Sequence, residues 1–162
     1  MAFISEIHYR NSAAASTAIA EFVEISIAPS EVSHISDFTV ATYQSDGNAA
    51  TAVNLGSLTG IIDPAKGWTI FRTNAPVPDP NHTTGHHEAE AVALIDAAAS
   101  PAVQTFVDIG GSTSQINAVD GPVAGVTSIN IPSASGQSIQ FDVHGNRIDG
   151  LLLFGEDAVF VR

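Results

Sequence analysis

Apolar and polar positions alternate in short runs along the chain, each run ending at a turn signal. Residues 21–28 (EFVEISIA) set Val23, Ile25 and Ile27 against Phe22, Glu24 and Ser26, the period-two pattern of a strand with two unlike faces. Residues 3–9 (FISEIHY) have strand length and composition, and residues 37–44 (DFTVATYQ) form a third run. The third run stops at Ser45-Asp46-Gly47-Asn48, whose Asp-Gly step favours a hairpin, and residues 51–58 return from it. Further strands are predicted at 67–72 (GWTIFR), 91–96 (AVALID), 102–108 (AVQTFVD), 138–143 (SIQFDV) and 149–154 (DGLLLF), with a last one at 158–161. Residues 10–20 are small and polar and read as a loop, in which the alanine run has the propensity for one helical turn. Pro76, Pro78 and Pro80 bar helix and central strand from the loop after 72.

About eight or nine short strands at roughly ten-residue spacing, with turn chemistry between them, predict an all-β antiparallel sandwich. Neither a linker nor an internal repeat interrupts the pattern, so residues 1–162 read as a single domain. A hydrophobic fraction of 44% with 14% charged residues agrees with a folded body.

Charge narrows the function classes. Seventeen acidic residues face five basic ones, for a formal net charge of −12. Lys66, Arg10, Arg72, Arg147 and Arg162 are dispersed, whereas nucleic-acid binding rests on clustered cations that neutralise phosphates. The reading is therefore no nucleic acid and no membrane insertion, since the apolar runs are also far too short to span a bilayer. Without cysteine there is no disulfide, thiolate metal site or cysteine nucleophile. The beginning, MAFISEIHYR, lacks a basic n-region and a long apolar h-region, so if the protein is exported, the expectation is a route without an N-terminal signal or a signal already trimmed away.

Several stretches, taken in order, resemble the lamin-tail domain in its bacterial, extracellular form. They are ISEIHY, a small-residue loop, EFVEI, then DFTVATYQSDG, NLGSLTGIIDPAKGWTIF, EAEAVALIDAAASPAVQTFVDIGG and VDGPVAGVTSINIPSASGQSIQF. The resemblance spans most of the chain. It implies an immunoglobulin-like β-sandwich used for interaction or targeting. Two departures stand out: Ser5-Glu6 where relatives commonly read Asn-Glu, and Tyr9 followed by Arg10-Asn11 where they commonly place an acidic residue and a glycine-containing loop.

Two groups of residues carry candidate chemistry. Glu6 and Glu24 lie inside apparent strands; on strict alternation Glu6 shares a face with Ile4 and His8, and Glu24 with Phe22 and Ser26. If the strands are neighbours, the pair can hold Ca²⁺, act as acid and base, or each carboxylate can accept hydrogen bonds from loop backbone N–H groups or a hydroxyl and pin the loop down. Pinning is the expected role. His82, His86, His87 and Glu88 offer imidazole and carboxylate ligands for Zn²⁺, Ni²⁺ or Cu²⁺. The same loop also reads as a solvated or partner-contacting surface, or as a pH-responsive contact. No cofactor is expected beyond Ca²⁺ or a transition metal at these residues. Asp46-Gly47-Asn48 can donate oxygens to Ca²⁺ but needs no ion as a turn.

The resulting expectation is a non-catalytic structural or interaction module. It binds another protein or itself, as a homo-oligomer, at the cell surface, outside the cell or in a virion particle. The alternatives are a Ca²⁺-dependent adhesion domain and a metal-dependent hydrolase using the histidine-rich loop.

Overall fold

The computed structural model describes residues 1–8, 22–74, 89–109, 115–131 and 138–148. Among the described residues, ten strands form two five-stranded sheets. The first sheet contains β1 (Ala2–His8), β2 (Phe22–Ile27), β5 (Ile61–Ile62), β6 (Thr69–Thr73) and β10 (Ser138–Gln140), in the order β10-β1-β2-β6-β5. The second contains β3 (Phe38–Gln44), β4 (Ala49–Asn54), β7 (Ala89–Asp96), β8 (Val103–Asp108) and β9 (Ile129–Asn130), in the order β4-β3-β7-β8-β9. The sheets pack face to face, so the all-β sandwich read from the pattern is the fold. Pairing is antiparallel except between β8 and β9, which run parallel. The strands expected at 149–154 and 158–161, and the loop at 10–20, lie outside the described residues.

The main core joins Ile4, Ile7, Val23, Ile25, Ile27 and Phe71 of the first sheet to Phe38, Val40, Val92, Leu94 and Val107 of the second. Each such side chain, once fully removed from water, contributes about 1.5–3 kcal/mol. A second core lies on the far face of the second sheet. There Ala41, Tyr43, Ala91, Ala93 and Phe106 meet Ile116, Ala118 and Val123 of the segment 115–131. Strands β3 and β7 are thus buried on both faces, which explains why AVALID reads as a continuous apolar run instead of an alternation.

Short 3₁₀ turns link the layers. The segment Pro29–Asp37, to which the strand pattern assigns no element, is a kinked 3₁₀ run after β2. Asn54 ends β4, accepting from Gly56 N (2.9 Å) and donating to Ser36 O (2.7 Å), so one side chain starts the turn Leu55–Ser57 and ties it to the preceding one. The expected Ser45-Asp46-Gly47-Asn48 turn joins β3 to β4. Its Gly47 has φ +86°, and a Cβ there would stand 2.0 Å from Asn117 O. Glycine is required at this position both for the left-handed backbone and for the close approach of 115–131.

Candidate functional site

The candidate site begins at Glu24. The alternation of β2 sends Val23, Ile25 and Ile27 into the main core, so Glu24 points to the opposite face with Phe22 and Ser26. On the same sheet, the register sets Glu6 of β1 and Arg72 of β6 opposite Glu24 from either side. Neighbouring β1 and β2 therefore bring the two glutamates together as direct cross-strand partners.

A β-bulge between Ile4 and Glu6 corrects the strict alternation expected of β1. With one extra residue in the strand, both Ile4 and Ile7 enter the core, and Glu6 does not share a face with Ile4. Ser5, the residue inserted at the bulge, turns its hydroxyl to Glu24. Its Oγ donates to Glu24 Oε1 at 3.0 Å, with the Glu24 carbonyl at 3.3 Å. The hydroxyl thus ties β1 to β2; both residues lie in strands, so this contact joins neighbouring strands and does not pin a loop.

The other carboxylate oxygen of Glu24 accepts from Arg72 Nε at 2.8 Å. Glu24 is only 1% exposed, and carboxylates are rarely buried without such a partner. The Arg72 side chain is 48% exposed, and its guanidinium lies 4.5 Å from the centroid of the Phe22 ring. The His8 ring stacks on Phe22 too, with centroids 5.2 Å apart and an interplanar angle of 16°. The positive charge beside Glu24 is therefore a guanidinium fixed to the next strand. Glu6 and His8 are buried on this sheet as well, and among the described residues His8 Nε2, Ser26 Oγ and Thr73 Oγ1 find no hydrogen-bond partner.

Two further polar centres escaped the sequence reading. Asp108, at the end of β8, is 1% exposed; its carboxylate accepts from Ser128 Oγ (2.7 Å) and Asn130 Nδ2 (2.6 Å). Ser128 Oγ in turn accepts from Ile116 N at 2.8 Å. The Tyr43 hydroxyl, at the far core, donates to Asp120 O (3.2 Å) and accepts from Val123 N (3.1 Å). Burial raises its phenol above the usual tyrosine range. Both centres hold the segment 115–131 onto the second sheet. The only sequence signal for Asp108 was an aspartate ending an apolar strand, and for Tyr43 a tyrosine within the strand run 37–44.

The turn Asp142-Val143-His144-Gly145-Asn146 closes on itself. Asp142 Oδ1 accepts from His144 N (2.8 Å) and Asn146 N (2.9 Å), and Oδ2 accepts from Asn146 Nδ2 (3.1 Å). These hydrogen bonds, those from Asn146 first, hold its carboxyl below the ordinary range. Beside this turn a cleft of about 510 Å³ opens between β8–β9 and the 141–147 hairpin, with Val107, Ile129, Ile131, Phe141, His144 and Arg147 on its walls.

His82, His86, His87 and Glu88 lie outside the described residues. Among the described residues no group of three or more His, Cys, Asp or Glu is placed to hold a metal ion. In the Asp46 turn, Asp46 Oδ1 accepts from Asn48 N at 2.9 Å. Among the described residues no helix is long and apolar enough to cross a membrane.

Compared with known proteins, the chain matches no protein-family model, no curated protein and no solved structure.

Proposed function

We propose that this chain is a non-catalytic structural or interaction module, working outside the cell or in a surface or particle assembly. It contacts another protein or a second copy of itself. The observation that carries this reading is the edge strand β5, where adjacent Ile61 and Ile62 are 72% and 67% exposed at the rim of the first sheet. A strand edge has backbone groups ready to pair with another chain, and large exposed aliphatic side chains beside it favour association. The direction of the buried carboxylates also supports the reading, because Glu24 and Asp108 hydrogen-bond within the fold. The resemblance of the chain to lamin-tail domains agrees with it.

The test combines light scattering across protein concentration with affinity capture from the host, for the wild type and an Ile61→Lys/Ile62→Lys variant. The expected result is self-association or a captured partner that the variant loses while keeping its fold by circular dichroism. A protein that stays monomeric at every concentration and captures nothing overturns the proposal. So does association that the variant leaves unchanged.

A further inference from the structure

We draw no further inference here: the strongest candidate, the cleft of about 510 Å³ between β8–β9 and the 141–147 hairpin, carries nothing because residues 132–137 and 149–162, which adjoin its walls in the chain, lie outside the described residues and nothing in the structure shows what covers it.

Discussion

Replacing Arg72 by methionine keeps a long side chain over Phe22 but removes the cation beside Glu24. The wild-type contact is a 2.8 Å hydrogen bond to a carboxylate whose side chain is 2% exposed. Stripping the partner from a fully buried ion pair costs about 3–5 kcal/mol, because a charge is left without compensation. Pairs in full solvent are worth about 0.2–1 kcal/mol. The Arg72 side chain is 48% exposed, so water screens the guanidinium while the carboxylate stays buried. The Ser5 hydroxyl remains as one donor. Weighing the two limits, Arg72→Met should destabilise the fold by about 2 kcal/mol. For a domain of this size that corresponds to roughly 4–8 °C in melting temperature. Urea denaturation of wild type, Arg72→Met, Glu24→Gln and the double variant forms a thermodynamic cycle. The double variant should be less destabilised than the sum of the single ones, since with both charges gone no carboxylate is left unpaired. If Arg72→Met shifts stability by less than about 0.5 kcal/mol, within the range of ordinary surface substitutions, or if the cycle is additive, the Glu24–Arg72 pair does not hold the first sheet together as argued.

At the far core, Tyr43→Phe should cost about 1–2 kcal/mol, the loss of a hydroxyl that serves both Asp120 O and Val123 N. Gly121→Ala should cost more than about 1 kcal/mol, because φ is +71° and the new Cβ would stand 2.7 Å from both Ala49 Cβ and Tyr43 Oη; chemical denaturation reads both. Asp108→Ala removes the carboxylate to which the Ser128 hydroxyl and the Asn130 amide donate, so hydrogen exchange at the Ile116 amide should speed up as 115–131 loosens, and unchanged exchange would contradict the pinning role. For Tyr43 the folded-state pKa is raised, so its contribution is intact below the ordinary tyrosine pKa of about 10 and is lost as pH rises through the higher folded value. In a Tyr9→Phe background, where Tyr43 is the remaining tyrosine, ultraviolet titration should show phenolate appearing above about pH 10. Ionisation at or below that point would refute burial of the hydroxyl.

Strand positions were legible because alternation is a local signal. The alternation of Val23, Ile25 and Ile27 with Phe22, Glu24 and Ser26 already separated the two faces of β2, and the Asp-Gly step already placed the first hairpin turn. β5 and β9 are two residues each, too short for any periodicity to register. The kinked run Pro29–Asp37 has no buried residue, so it offers no apolar stripe to detect. Arg72 was visible only as one of a few scattered cations.

The sequence by itself determined an all-β chain of short strands and the presence of two glutamates inside the first two of them. Composition and the strand period are properties of neighbouring residues. The tertiary structure alone decided what those glutamates do. A bulge at Ser5 resets the face of β1, the register of β2 with β6 brings Arg72 to Glu24, and the segment 115–131 closes a second core over the far sheet. Each of these depends on residues far apart in the chain, and pairing across such distances follows from packing and register, which no local pattern encodes.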